Sequence, residues 1–301
     1  LKKKGIPGIS GIDTRALTQK LRTKGAMLGT ISPNPKKNLP FYDPNAKNLV
    51  AEVSVKKPIH YEAMSTANGR TARGKPKHIA LVDCGMKLNI LRSFLRRGVS
   101  VTRVPWNYDF WTKMSKTKFD GIFFSNGPGD PAMMADTVAI MKKGFEKKIP
   151  TFGICLGSQI MGIAAGGKTY KLKFGHRSQN QPCIDLDTDR CVITSQNHGY
   201  AVDHKSMRKD WKVWFENAND GTVEGVRHKS LPFFSVQFHP EATPGPTDNS
   251  DLCCARSFEC TPGIFAPARR RHCSTACVAK SASPESTCGP RPRRFNTCAP
   301  G

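Results

Sequence analysis

The chain has 301 residues, enough for one large domain or two modest ones, and a formal net charge of +24 from 47 Lys+Arg against 23 Asp+Glu. That excess suits an acidic partner or a solvated basic surface. The basic residues are scattered, with no nucleic-acid motif and no aromatics set within a basic cluster, so specific nucleic-acid binding is not expected. No stretch reaches the roughly 18–20 apolar residues of a membrane span, and the opening LKKKGIPGIS lacks the apolar core of a signal peptide.

The first 57 residues read as a small, incomplete unit, and the absence of an initial Met fits a fragment. GIDTRALTQKLRTKGAMLGTI predicts a helix capped by Asp13 or Thr14, with Ala16, Leu17 and Leu21 on its apolar face and Gly25 as its stop. SPNPKKNLPFYDPN is rich in turn residues. Residues 58–77, containing the polar MSTANGRTARGKPK, read as a linker.

From residue 78 strands and helices alternate. HIALVDC, VSVTRVPW, GIFFSN and PTFGIC read as strands. LNILRSFLRRG reads as an amphipathic helix with Leu88, Leu91 and Leu95 on one side, and PAMMADTVAIMKKGF as another helix. This rhythm predicts a mostly parallel α/β sheet covered by helices. RCVITSQ, KVWFENA, TVEGVRH and PFFSVQF follow with few helices between them, as an antiparallel extension.

After about Asn249 the texture breaks. Of the eleven cysteines only Cys84, Cys155, Cys183 and Cys191 precede residue 250, and the other seven crowd into Cys253–Cys298. The first four show no metal or redox pair spacing, which fits a reducing compartment such as the cytoplasm or mitochondrion. The tail, residues 250–301, carries no helix or strand period. Its Cys spacings complete no recognised four-ligand zinc pattern. It reads as translation of a shifted frame and is expected to be disordered and without a part in catalysis.

TFGICLGSQI, residues 151–160, sets Cys155 between two glycines where a buried strand meets a helix of small residues. A lone cysteine is commonly a buried structural residue. A sharp strand-to-helix turn instead lifts the side chain toward substrate, and a helix N-terminus favours the thiolate. Such a nucleophile needs a base, and the base needs an orienting group. FFSVQFHPEATPGP supplies His239 and Glu241 just after a strand, with Pro240 keeping the segment extended. SNGPGDP, residues 125–131, ends a strand with glycines that allow close backbone approach to a ligand. SQNHGYAVD, residues 195–203, reads as a polar loop carrying Asn197 and Gly199.

FSNGPGDP, FGICLGSQ, SQNHGYAVD and VQFHPEATPGP together, in this order, resemble the class I, or triad, glutamine amidotransferases. The resemblance spans residue 78 to about 249. It implies that Cys155 is the nucleophile, His239 the general base and acid, and Glu241 its orienter. It also implies glutamine contacts from Gly127, Gly129, Leu156, Gln159, Asn197, Gly199 and Tyr200, with the Leu156 N–H and the Gly127 region as the oxyanion hole. One position departs: the family usually has LGHQ, where this chain has Ser158. That His is outside the triad, so activity is expected to survive.

GIPGISGIDTRALTQKLRTKGAMLGTI is similar to the inner end of the N-terminal domain of carbamoyl-phosphate synthetase small subunits, which guanylate- and anthranilate-forming relatives lack. NLPFYDPNAKNLVAEVSVKKP, SQNHGYAVD and SLPFFSVQFHPE look most like the eukaryotic fused enzymes of the pyrimidine pathway. The resemblance implies ammonia delivery to a large synthetase subunit or to fused synthetase domains, for pyrimidine or arginine synthesis. A glutamine-contacting Ser of the family falls before Leu1. No phosphate loop or ATP-grasp segment is visible, so ATP and magnesium would belong to the synthetase, and no metal or cofactor is expected in this chain. The alternative is a weak or inactive scaffold of the same fold. Its mark would be a lost Cys, His or Glu, and all three are present.

Overall fold

The Asp13 carboxylate accepts the Ala16 N–H at 2.9 Å and so caps helix α1, Thr14–Lys24, in this computed structural model of the chain. The structure describes residues 1–32, 34, 39–64, 77–249 and 252. The chain divides into the units Leu1–Pro262 and Gly263–Gly301, and the described residues all belong to the first. The expectations for the tail, residues 253–301, and for residues 65–76 of the linker lie outside the described residues.

Gly25 ends α1 at φ +84°, its N–H donating to Leu21 O. No residue of α1 is buried, so the Ala16–Leu17–Leu21 face lies open. The segment is anchored just beyond: Ala26 N–H donates to Lys173 O at 3.0 Å, and a Cβ on Gly25 would stand 2.4 Å from that carbonyl.

Helix α2, Leu49–Val53, is capped by Asn48 and sinks Val50 into the same core as Ala80 and Val82. Strand β1, Ile59–Tyr61, falls inside the stretch read as linker. Then come β2 His78–Asp83, α3 Leu88–Arg96, β3 Ser100–Pro105, α4 Phe110–Lys113, β4 Gly121–Phe124, α5 Ala135–Glu146, β5 Thr151–Ile154 and α6 Leu156–Ala164. The chain continues through β6 Lys168–Asp185, β7 Arg190–Asp203, β8 Trp211–Asn217, β9 Val223–His228 and β10 Phe233–Val236.

The ten strands among the described residues form one sheet in the order β1-β3-β2-β4-β5-β10-β9-β8-β6-β7. The run β3-β2-β4-β5-β10 is parallel; the pairings outside it are antiparallel. The β3-β2-β4-β5 centre is the expected parallel sheet; β10, read as part of the antiparallel extension, pairs parallel with β5 and antiparallel with β9, and the sheet as a whole is mixed. Residues alternate between its faces. Ile79 and Leu81 pack with Ile90, Leu91 and Phe94 of α3, while Ala80 and Val82 pack with Leu156, Ile160 and Met161 of α6. Both faces are covered, which is why β2, β4 and β5 read as continuous apolar runs.

Four further sequence readings need correction. The segment His239–Ala242 is not extended but a turn, closed by the Ala242 N–H donating to His239 O at 3.1 Å. The buried face of α3 is Ile90, Leu91 and Phe94, while Leu88 is 52% exposed. Phe94 fixes this rotation, meeting Phe123 edge-on at 5.0 Å. SQNHGYAVD is not a loop but the second half of β7, paired along β6 from Lys168↔Asp203 to Asp185↔Arg190. Strand β6 itself was not anticipated. It is largely half-exposed, with Cys183 its one buried residue, so it lacks an apolar alternation. Among the described residues no helix is long and apolar enough to cross a membrane.

Candidate active site

Cys155 is the single residue between β5 and α6, at φ 55° and ψ −104°. A non-glycine residue held there costs about 1–3 kcal/mol and persists only where its surroundings over-determine it. Here the Cys155 N–H donates to Val236 O at 2.9 Å, and its carbonyl accepts from Ser158 N–H and Gln159 N–H at 3.0 and 3.1 Å. The flanking glycines serve close approach. A Cβ on Gly153 would lie 2.5 Å from Gly157 O, and one on Gly157 would lie 2.3 Å from Phe124 O. The helix can start directly against the sheet only because both lack side chains. Cys155 thereby sits at the N-terminus of α6, where free N–H groups favour negative charge.

Strand β10 runs parallel to β5, with Val236 opposite Ile154. The chain leaving β10 therefore emerges at the same sheet end as Cys155, and three residues later His239 is reached. Its N–H donates to Ser195 O at 2.8 Å, tying this segment to β7. His239 Nδ1 lies 2.8 Å from Glu241 Oε1, and both side chains are almost fully buried. Asn89 Nδ2 donates to Glu241 O, and Lys87 Nζ stands 3.7 Å from Glu241 Oε1. Burial alone would push the His239 pKa down. Cys155 and Glu241 outweigh it and hold the imidazolium, raising the value to about 9. Burial likewise opposes charge on Glu241, but its bond to His239, with Lys87 nearby, keeps its pKa below the ordinary carboxylate value.

Gly127–Gly129 follow β4, the neighbour of β5. The ends of β4, β5 and β10 thus meet outside the carboxyl edge of the parallel strands, where open α/β sheets bind ligands. A cavity of about 370 Å³ lies there. Of the residues expected in the site, Gly127, Gly129, Cys155, Gln159, Asn197, Gly199 and Tyr200 line it. Leu156, His239 and Glu241 do not. The Leu156 side chain is core, so only its backbone can serve a ligand. Gln159 Nε2 gives its two hydrogens to Tyr200 O at 3.0 Å and Gln237 Oε1 at 3.1 Å, so Gln159 also fixes the Tyr200 backbone. Tyr200 OH donates to Asp130 Oδ2 at 3.1 Å. Ser158 is buried, with its Oγ 2.9 Å from Ser235 Oγ.

The sequence reading missed Asp43, Asn45, Lys171 and Arg177, which also line the cavity. The available signal was DPN, a turn whose Asp43 accepts from Asn45 N–H. Lys171 and Arg177 sit on the unforeseen β6. Burial pushes the thiols of Cys84 and Cys183 well above the ordinary thiol range. Among the described residues, the one close group of metal-ligating side chains is His176, His198 and Glu224.

A family model described as Glutamine amidotransferase class-I matches residues 80–252, and one described as Carbamoyl-phosphate synthase small chain, CPSase domain, matches residues 1–31. The chain is 50% identical over 273 residues to the multifunctional protein ura1 of Schizosaccharomyces pombe, covering 84% of this chain and 12% of that one. It is 50% identical over 268 residues to the multifunctional protein CAD of Squalus acanthias, covering 86% and 11%. It is 44% identical over 277 residues to the carbamoyl phosphate synthase arginine-specific small chain of Aspergillus clavatus, covering 89% and 58%. The chain thus spans a small fraction of the multifunctional relatives and a little over half of the small chain. A solved Thermoplasma acidophilum protein, described as one subunit of a GMP synthase, superposes with TM-score 0.53 at 21% identity, covering 62% of this chain and 94% of that one, which shows the fold. With more than half its residues matched by the first family model, the chain belongs to the class I glutamine amidotransferases.

Proposed function

We propose that this chain hydrolyses glutamine to glutamate and ammonia through a Cys155 thioester, and that the ammonia feeds a carbamoyl-phosphate synthetase carried by a large subunit or by fused domains. The observation that carries the first part is the strained Cys155 at a helix N-terminus, beside an imidazole held by a buried carboxylate. The second part is supported by the small-chain match at residues 1–31 and by relatives named as carbamoyl phosphate synthase chains.

Cys155 Sγ attacks the side-chain amide carbon of glutamine, and the carbonyl oxygen becomes an oxyanion. The Leu156 N–H, with no intrahelical partner at the first turn, would receive it together with the Gly127 backbone. His239, protonated and held by Glu241, gives its proton to the departing nitrogen, and ammonia leaves. Water then attacks the γ-glutamyl thioester. His239 takes its proton, the C–S bond breaks, and glutamate and thiolate remain. Asp43, Lys171 and Arg177 give the cavity charges of both signs, suited to the ammonium and carboxylate of an α-amino acid.

The test is a coupled assay of the full chain with a synthetase partner. We expect glutamine-dependent carbamoyl phosphate formation that Cys155→Ser abolishes while free ammonia still supports it. Loss of both nitrogen sources in that variant would refute the division of labour.

A further inference from the structure

We propose that His176, His198 and Glu224 form a binding site for a zinc-class divalent cation, fixing the β6–β7 ribbon beside the cavity. It stands on geometry independent of the glutamine reading.

The three residues come from three strands. His176 and His198 are direct partners across β6 and β7, their rings edge-on at 4.9 Å, and Glu224 reaches them from β9. One donor atom from each lies within 4.8 Å of the others. His176 Nδ1 is 2.9 Å and His198 Nε2 is 3.5 Å from Glu224 Oε1. Zinc bonded to nitrogen and oxygen at about 2.0–2.2 Å sets donors about 3.3 Å apart in a tetrahedron, and the two separations to Glu224 bracket that value.

The remaining ring nitrogens are already oriented. His176 Nε2 meets Asp220 Oδ2 at 2.9 Å, and His198 Nδ1 lies 2.9 Å from Tyr200 O. Metal-ligating histidines characteristically give their other N–H to a carboxylate or a backbone carbonyl in this way.

Two further contacts point to a cation. A carbonyl only accepts, so the hydrogen of His198 is on Nδ1, and Nε2 turns toward oxygens: Gln196 Oε1 at 3.2 Å and Glu224 Oε1. The Gln196 amide cannot simply be reversed, because Thr194 Oγ1 gives its hydrogen to Gln181 O and so needs the Gln196 Nε2 donor. Glu224 is wholly buried, and its Oε2 has no hydrogen-bond partner. A proton between His198 and Glu224 would serve that one contact alone. A divalent ion can engage both imidazoles and the carboxylate. Two imidazole donors select zinc, cobalt or nickel over magnesium or calcium. His198 also lines the cavity between Asn197 and Gly199, so the ion would stiffen the wall that carries them.

The test uses the full chain, freed of metal by chelation and with its thiols alkylated, so that no cysteine can ligate. Titration with Co(II) is followed by visible absorption. We expect one equivalent to bind with nitrogen–oxygen ligand-field bands and no thiolate charge-transfer band, and Zn(II) to displace it. Glu224→Gln and His176→Gln should lose the bands with near-ultraviolet circular dichroism unchanged. Asp220→Asn should weaken binding about 10–100-fold without abolishing it. No bands in the parent, or bands unaltered in a folded Glu224→Gln or His176→Gln chain, would overturn the proposal. If neither of those variants folds, Asp220→Asn decides, and unchanged affinity there would overturn it.

Discussion

His239 and Glu241 are two residues apart, separated by Pro240, yet their side chains meet at 2.8 Å and both are shut from solvent. The chain turns here, with the Ala242 N–H donating to His239 O at 3.1 Å, and the turn through Pro240 and Glu241 brings imidazole and carboxylate together. Glu241 fixes the hydrogen on Nδ1 and leaves Nε2 for the chemistry.

The first prediction is a pH profile. The His239 value of about 9 lies above the ordinary 6.5, so its imidazolium persists through neutral pH. Its contribution to folding stability is complete below about pH 6.5 and is lost as pH rises through about 9. Glutaminase kcat/KM should fall over the same alkaline limb, as the acid that releases ammonia is lost. Glu241→Gln removes a charge that raises the His239 pKa. The limb should therefore move to lower pH, with a smaller loss in turnover than His239→Asn causes. A limb that stayed fixed in Glu241→Gln would show that Glu241 does not hold the imidazole.

Gly157→Ala tests the elbow. The added Cβ would meet Phe124 O at 2.3 Å, a backbone atom that cannot move aside cheaply. Overpacking of this kind costs about 1–3 kcal/mol. Thermal denaturation should register that loss, and glutaminase activity should fall further than the unfolded fraction explains, because α6 carries Cys155 away with it. Full activity in the folded variant would mean the close crossing is dispensable.

Asp43→Asn and Arg177→Met test how the cavity holds an amino acid. If these side chains read the α-ammonium and α-carboxylate, each variant should raise KM for glutamine about tenfold or more, as expected for one charge-assisted hydrogen bond. Turnover should change little, since neither touches the reacting amide. A fall in kcat with KM unchanged would place them elsewhere in the mechanism.

The motifs of the candidate site were legible because each is local. Gly153, Cys155 and Gly157 sit within five residues, as do His239 and Glu241, and the strands before them are plain apolar runs. The parallel centre was legible for the same reason. What escaped depends on contacts between distant segments. Strand β6 earns its place by pairing with β7 and β8 while burying one side chain, so no apolar period marks it. With β6 unseen, Asn197–Tyr200 read as loop, and Lys171, Arg177 and His176 had no visible partners. The α3 rotation followed Phe94 rather than the leucines, a choice made by Phe123 on the facing strand. Ser158 stood out as a departure in sequence; its bond to Ser235 Oγ shows it buttressing α6 against β10, away from the cavity.

The central claim is that Cys155 forms a γ-glutamyl thioester, and the most direct measurement is intact-protein mass spectrometry on chain quenched in acid during glutamine turnover. The parent chain should show one added glutamyl acyl group, localised by peptide mapping to Cys155, and Cys155→Ser should show neither adduct nor hydrolysis. The serine hydroxyl has a far higher pKa than the thiol, so His239 cannot ionise it as easily. An adduct on another residue, or undiminished glutamine hydrolysis by Cys155→Ser, would contradict the account.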